Sequence, residues 1–335
     1  MILTLEDLRG IDMKKRALVT GITGQDGAYL AQLLLSKGYE VYGFVSRRVN
    51  QTFDNLDYLG ITNQVQIIFG DITDQASIIY AIRTSRPHEV YNLAAMSFVG
   101  LSWQEPIHTA QVDGLGPLYL LEAIRTFAPT AKMYQASTSE MYGNNWEDDL
   151  TQNETTAFKP RSPYGSAKVF AHHTTVNYRE SFDLFSCCGI LFNHESPIRG
   201  QEFVTRKITS AVARISKGLQ NKLELGNLDA RRDWGFAGDY VEAMWMMLQQ
   251  DEPDDYVIAT GETWSIKDLL DRAFLAVGIH DWSDYVTQNP LYMRPAEVPH
   301  LKGDPAKAKA KLGWEPKISF DELIDMMVEA DVKRL

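Results

Sequence analysis

Cysteine is nearly absent from the 335 residues: Cys187 and Cys188, side by side, are the two present. Neighbours in an extended strand point to opposite faces and do not easily bridge. A disulfide framework is therefore not expected, and no zinc-type ligand spacing occurs. No apolar run is long enough to span a bilayer, and no secretory leader is evident. A cytoplasmic protein without a membrane partner is expected. An excess of positive charge is also missing. Net charge is −11 and the lysines and arginines are scattered, which argues against a nucleic-acid partner. Any phosphate ligand must then be held by a local cation cluster working against the overall field.

What remains is the composition of an ordinary globular protein, 44% apolar and 23% charged. The length suits one large domain or a nucleotide-binding domain with a second lobe. Residues 1–13 read as an N-terminal extension without function, with Met13 as a candidate start. Beyond them, short apolar runs alternate with helical patterns. "RALVTG", "EVYGFV", "QVQIIFGD", "EVYNLAA", "AKMYQAS", "LFSCCGILF" and "DYVIAT" read as strands. Apolar strands alternating with helices predict an α/β fold: a Rossmann-type, doubly wound parallel sheet of about seven strands. After about residue 193 the rhythm breaks into helices and proline-containing turns, which predicts a smaller mixed α/β C-terminal substrate-binding lobe. The expected division is 14–192, with 233–261 returning to it, for the first domain, and 193–232 with 262–335 for the lobe. The Met/Trp stripe of "DYVEAMWMMLQQ" is expected to be core.

"GITGQDG" sets Gly21, Gly24 and Gly27 directly after a strand and at the start of a helix. Glycines there let a pyrophosphate approach the helix N-terminus. No Gly-Lys-Ser/Thr follows, so the loop is not of the Walker type, and an ordinary glycine turn is the plain alternative. After the second strand, where an NAD enzyme usually carries Asp or Glu, stand Arg47 and Arg48. Guanidinium groups suit a 2′-phosphate, which points to NADP rather than to solvated surface charge. Asp71, after the third strand, is placed to accept from an adenine amino group, and the small Ala94 and Ala95, after the fourth, let a cofactor lie close.

Tyr164 and Lys168 are four apart in "SPYGSAK" and share a helix face. An ammonium near a phenol favours the phenolate and lowers its pKa, so this pair can exchange a proton with a sugar hydroxyl during hydride transfer. In "ASTSEMYG", Thr138 and Glu140 are two apart and in an extended segment point to one side. A simple dehydrogenase has no need of Glu140. A carboxylate there suits a second proton transfer, whereas a surface ion pair is the plain alternative. His172 and His173 lack partners at ligand spacing, so no metal is expected. His194 is read as ordering its loop.

The motifs "VTGITGQDGAYLA", "NLAAMSFVG", "QASTSEMYG", "RSPYGSAK", "GILFNHESPIRG", "FVTRKIT", "RRDWGFAGDYVEAMWMMLQQ", "RPAEV" and "GDPAKAKAKLGWEPK" closely resemble the GDP-mannose 4,6-dehydratase family. That family lies within the extended short-chain dehydrogenase/reductase superfamily. The resemblance runs from about residue 15 to 330. It implies Thr138, Glu140, Tyr164 and Lys168 as catalytic residues. It implies NADP held by Gly21, Thr23, Gly24, Gln25, Asp26 and Gly27, and by Arg47, Arg48, Asp71 and Ile72. Leu93, Ala94, Ala95, Tyr164, Lys168, His194 and Arg199 complete that set. It implies GDP-mannose held by Ser97, Asn193, Val204, Lys207, Gly226, Arg232, Arg294 and Glu297, and a homodimer or homotetramer. The implied reaction oxidises C4, removes water across C5/C6 and returns the hydride to C6, giving GDP-4-keto-6-deoxymannose. The alternatives are an NADPH-dependent reductase of that product or a bifunctional enzyme, and, from another class, a non-catalytic NADP-binding regulator.

Overall fold

The computed structural model describes residues 14–47, 52–143, 151–293, 296 and 298–335. Seven strands form one parallel sheet: β1 (Arg16–Thr20), β2 (Glu40–Val45), β3 (Gln66–Phe69), β4 (Glu89–Asn92), β5 (Lys132–Thr138), β6 (Ser186–Leu191) and, later in the chain, Tyr256–Ile258. Each falls on a run that the sequence marked as a strand. The spatial order places Tyr256–Ile258 beside β6, followed by β5, β4, β1, β2 and β3.

The runs are continuously apolar because both faces are covered. In β1, Ala17 and Val19 enter one core cluster and Leu18 enters another. Successive side chains point to opposite faces of a sheet, so one short strand feeds two cores. Helices α1 (Gln25–Ser36), α2 (Gln75–Ser85), α3 (Gly116–Phe127), α4 (Pro163–Phe182), α5 (Val204–Ser216), α6 (Ala237–Leu248), α7 (Ile266–Leu275) and α8 (Phe320–Lys333) are those of ten residues or more among the described residues. Met244, Met247 and Leu248 of α6 are fully buried with Leu30, Ala31 and Leu34 of α1 on the first face. Ile78 and Ile82 of α2 pack with Leu120, Leu121 and Ile124 of α3 on the second. α1 stops where Gly38 takes φ +82°, a left-handed conformation that glycine enters without strain. Ser265/Asp268 and Ser319/Glu322 form reciprocal capping boxes that start α7 and α8.

A separate apolar cluster joins α5, α7 and α8 around Trp234, Phe274 and Ile324. Short strand pairs surround it: β7 (Asn193–Glu195) with Trp234–Phe236, Arg231–Arg232 with Trp264–Ser265, and β8 (Leu223–Leu225) with Val286–Gln288.

A buried polar row crosses the middle of the main sheet at its C-terminal edge. Thr20 Oγ1 donates to Asn92 Oδ1 at 2.7 Å, Asn92 Nδ2 to Gln135 Oε1 at 2.8 Å, and Gln135 Nε2 to the Ala136 carbonyl at 2.9 Å. Thr20 Oγ1 also accepts the Leu93 and Ala94 amides. Among the described residues no helix is long and apolar enough to cross a membrane, and Cys187 and Cys188 are buried free thiols.

Candidate active site

The C-terminal ends of β1, β4, β5 and β6 open onto one pocket of about 1210 Å³, closed on its far side by the start of α5, by β8 and by residues 291–293. Single ligands commonly occupy about 300–1,000 Å³, so this cleft has room for two ligands end to end.

The glycine loop forms one end. Gly21 sits at φ +68°, and a Cβ there would lie 2.8 Å from the Leu93–Ala94 backbone. A Cβ on Gly27 would lie 2.3 Å from the Gly21 carbonyl, so the turn closes only with glycine at both places. Gly24 is the N-cap of α1 and supplies no side-chain cap. The first-turn amides are thus left for a ligand, and they face the pocket beside Thr23, Gln25 and Asp26. An uncapped twelve-residue helix whose N-terminus opens into a cleft fits a dinucleotide pyrophosphate. Asp71, Ile72, Leu93, Ala94 and Ala95 continue this wall. Asp71 Oδ1 already takes the Thr73 amide and hydroxyl, which holds its carboxyl below the ordinary value. Arg47 is not brought into the pocket. It is exposed, with its guanidinium 5.4 Å from the centre of the Phe69 ring, while the preceding Ser46 lines the cleft. Arg48, Arg294 and Glu297 lie outside the described residues.

His194 does order its loop, but through a charge. Its Nδ1 lies 2.7 Å from the Phe192 carbonyl and its Nε2 lies 2.8 Å from Asp26 Oδ2. Both partners are acceptors, so both ring nitrogens donate and the ring is an imidazolium. Burial pushes its pKa down, yet the Asp26 charge and hydrogen bond leave it raised. Asp26 ends lowered for the reciprocal reason, its own burial outweighed by His194 and Gln25. Gln25 Nε2 donates to the His194 carbonyl. The cofactor loop and β7 are thereby joined by a buried ion pair. Arg199 lines the same wall, paired with Glu195 at 3.1 Å.

The catalytic candidates meet at the centre. Ser162 caps α4 by accepting the Gly165 amide at 3.0 Å, which fixes Tyr164 in the first turn. A Cβ on Gly165 would lie 2.9 Å from the Glu140 carbonyl, so α4 begins packed directly on that segment. Thr138 ends β5, and its side chain faces the Tyr164 hydroxyl closely enough to favour the phenolate. Glu140 is not in an extended segment. It lies in a 3₁₀ turn over Ser139–Met141 that Thr138 caps, with the Glu140 amide 3.3 Å from Thr138 Oγ1. Proximity to Thr138 therefore comes from a tight turn instead of strand alternation. Thr138, Glu140, Tyr164 and Lys168 all line the pocket.

The expected depression of the tyrosine pKa is absent in the protein alone. Burial, the Asp113 charge and the Glu140 charge together hold Tyr164 above its ordinary value, against the opposing effect of the Thr138 side chain. The Lys168 ammonium is 5.7 Å from the Tyr164 ring centre and donates to the Ala136 carbonyl at 3.1 Å. Burial lowers its own pKa, and Asp113 raises it.

Asp113 is the residue that the sequence did not disclose. It is fully buried in a π-helical turn over Ala110–Leu115, takes the Met96 amide on Oδ1 at 2.9 Å and leaves Oδ2 without a hydrogen-bond partner. Burial raises its pKa, and Lys168 is the strongest charge opposing that rise. An aspartate in an apolar helical stretch carries no periodic signal, and the wide turn that aims it inward is invisible in sequence.

Of the substrate candidates, Ser97, Asn193, Val204, Lys207, Gly226 and Arg232 line the same pocket, most of them toward its far half. Arg232 is buried and donates to the Arg231 carbonyl at 2.9 Å. Lys207 lies with Nζ 3.8 Å from the centre of the Tyr292 ring, and burial lowers its pKa.

A cleft shared between a glycine-turn sheet edge and a Tyr–Lys helix is the arrangement of the extended short-chain dehydrogenase/reductase superfamily. Comparison with known proteins gives the same class. The chain superposes on the Thermus thermophilus UDP-glucose 4-epimerase complex with NAD (TM-score 0.82, 28% identity, 94% of this chain and 98% of that one). It matches the Thermotoga maritima UDP-glucose 4-epimerase with UDP-glucose similarly (TM-score 0.83, 26% identity, 95% and 99%). GDP-mannose 4,6 dehydratase 2 of Arabidopsis thaliana is 51% identical over 333 residues, covering 96% of this chain and 88% of the relative. The family model described as GDP-mannose 4,6 dehydratase matches residues 18–327. The chain belongs to the GDP-mannose 4,6-dehydratase family.

Proposed function

We propose that this protein converts GDP-D-mannose to GDP-4-keto-6-deoxy-D-mannose with a bound NADP that is regenerated at each turnover. The observation that carries the reading is the carboxylate of Glu140 in the pocket that also holds Tyr164 and Lys168, because loss of water requires an acid–base group that a plain dehydrogenase does not.

Residues 14–192 and 233–261 hold the cofactor, and residues 193–232 and 262–335 hold the nucleotide sugar. The α1 amides take the pyrophosphate, and Arg47 and Arg48 take the 2′-phosphate. A bound nicotinamide would supply the hydride chemistry, as acceptor at sugar C4 and donor at C6. Tyr164 removes the O4 proton, held by Thr138, with Lys168 offsetting the phenolate charge. The 4-ketone acidifies C5, and Glu140 takes that proton. The resulting carboxylic acid protonates the C6 hydroxyl as it departs as water. One proton must return to C5, and the one taken from O4 closes the balance. Lys207, Arg232 and Arg294 are the local cations that hold a diphosphate in an acidic protein, and Glu297 takes the ribose or base. Exposed Leu115 just before α3 and Phe127 at its end, with Phe170 and Phe182 on α4, support a homodimer or homotetramer through these helices. A cytoplasmic location goes with a nucleotide-sugar substrate.

Mass spectrometry of GDP-mannose incubated with the protein and a trace of NADP⁺ tests the proposal. Loss of one water in large excess over cofactor is expected. An unchanged mass sinks it, and a gain of two hydrogens on the keto-sugar with NADPH would establish the reductase.

A further inference from the structure

Behind the catalytic centre His172 meets Ser137, and the proposed reaction uses neither. His172 Nδ1 lies 3.0 Å from Ser137 Oγ, and both residues are buried. Ser137 lines the cleft, whereas His172 stands outside the lining.

Three residues of α4 thereby reach three consecutive residues of β5. Tyr164, Lys168 and His172 are spaced by four and share one face of the helix. Thr138 faces the Tyr164 hydroxyl. The Ala136 carbonyl accepts from Lys168 Nζ at 3.1 Å. Ser137, between these two, meets His172.

The end of β5 needs such a hold. β4 pairs with β5 from Glu89 and Lys132 to Asn92 and Gln135, and no further. Ala136, Ser137 and Thr138 run past it and pair with β6 alone, opposite Gly189, Ile190 and Leu191. All three also line the cleft. A strand end with a ladder on one side only depends on its side chains for its exact place.

His172 suits a bond that does not titrate. Burial pushes its pKa down to about 4, with His173 and Arg179 adding to the push and Asp255 opposing it. The ring is therefore neutral at ordinary working pH. A neutral imidazole donates from one nitrogen and accepts on the other, and a hydroxyl can answer either. The ring also packs edge-on to Phe158, with centres 5.0 Å apart.

We propose that His172 is a positioning residue for the reaction: through Ser137 it fixes the overhanging end of β5, so that the Ala136 carbonyl holds Lys168 and Thr138 meets Tyr164. The inference rests on the proposed function and adds to it a residue outside the cleft. Drift of the strand end would shift the ammonium and Thr138 together against the phenol. A misplacement of about 1 Å can cost about 10²-fold in rate.

The test compares wild type with His172→Phe, His172→Asn, Ser137→Ala and the double variant His172→Phe/Ser137→Ala. Phenylalanine keeps a ring against Phe158 and removes the bond, whereas asparagine returns a polar atom near the place of Nδ1. Values of kcat and KM for GDP-mannose are set beside the isotope effect on kcat with substrate deuterated at C4, and urea unfolding reports the folded fraction. His172→Phe is expected to lower kcat by about 10- to 100-fold with KM little changed. The isotope effect is expected to rise, because the C4 step becomes more nearly rate-limiting. His172→Asn recovers part of the rate. The double variant is no slower than the slower single, since both changes remove one bond. Wild-type kcat in His172→Phe overturns the proposal. So does a fall in kcat that matches a loss of folded protein with the isotope effect unchanged, which would make the ring packing alone. Losses that multiply in the double variant overturn it too, because the two residues would then act separately. If the wild type leaves GDP-mannose unchanged, the proposed function fails first and the role of His172 with it.

Discussion

Asp113 and Lys168 are each other's strongest counter-charge. Both are buried, burial works against the charge of each, and each is the leading charge that opposes the effect on the other. The ammonium needed beside Tyr164 is thus maintained by a carboxylate with one oxygen still unpartnered.

Asp113→Asn removes that support while keeping the shape. Because Asp113 raises the Lys168 pKa, its loss lets burial lower it further. The alkaline limb of the kcat/KM profile, where Lys168 loses its proton, is expected to move to lower pH. For every pH unit that the limb moves, the rate at a fixed pH on it falls about tenfold. A limb that stays in place would show that Lys168 keeps its charge by other means.

Glu140→Gln keeps the 3₁₀ turn, whose cap uses the backbone amide, and removes the base. Dehydration is expected to fall by about 10²–10⁴-fold, with reduced cofactor accumulating in a single turnover. Rapid-quench mass spectrometry, together with cofactor fluorescence, reads both. Product formed at the wild-type rate would place the C5 base elsewhere.

The His194–Asp26 pair makes stability pH-dependent. The His194 pKa is raised from 6.5, so its contribution is complete below about pH 6.5 and is lost as pH rises through the raised value. The Asp26 pKa is lowered from 3.8, so its contribution is complete above about pH 3.8 and is lost as pH falls through the lowered value. The difference in urea midpoint between wild type and His194→Asn is expected to be largest between these limits and to shrink above them. A constant difference across pH would mean that the ring acts by packing on Tyr240, which it stacks against at 4.6 Å.

Arg47 stands exposed over Phe69, outside the pocket. Charge-assisted bonds to a 2′-phosphate contribute about 1.5–3 kcal/mol, so Arg47→Asp is expected to weaken NADP by about 10- to 150-fold while NAD changes little. Fluorescence titration with the two cofactors measures this, and equal loss for both would remove Arg47 from the 2′-phosphate.

The strands were legible because their apolar runs are uninterrupted, and the glycine turn and Tyr164/Lys168 because short-range spacing alone brings them together. What escaped depends on tertiary detail. Asp113 needs a π turn, and Glu140 reaches its place through a capped turn where the spacing suggested an extended strand. The Tyr164 pKa moves the opposite way from the one that a nearby lysine implies, since burial and the charges of Asp113 and Glu140 decide it. His172 reads as a histidine without a task until its bond with Ser137 is seen.

The polar row through Thr20, Asn92 and Gln135 has a consequence for how this chain can change. Thr20→Val would strand the Asn92 oxygen and two backbone amides at once, and any other single replacement along the row would leave a buried group without its partner. Drift at one of these three positions is therefore blocked unless a neighbour changes with it. They should pass from ancestor to descendant as a block, carrying the spacing between glycine turn and Lys168 along with them.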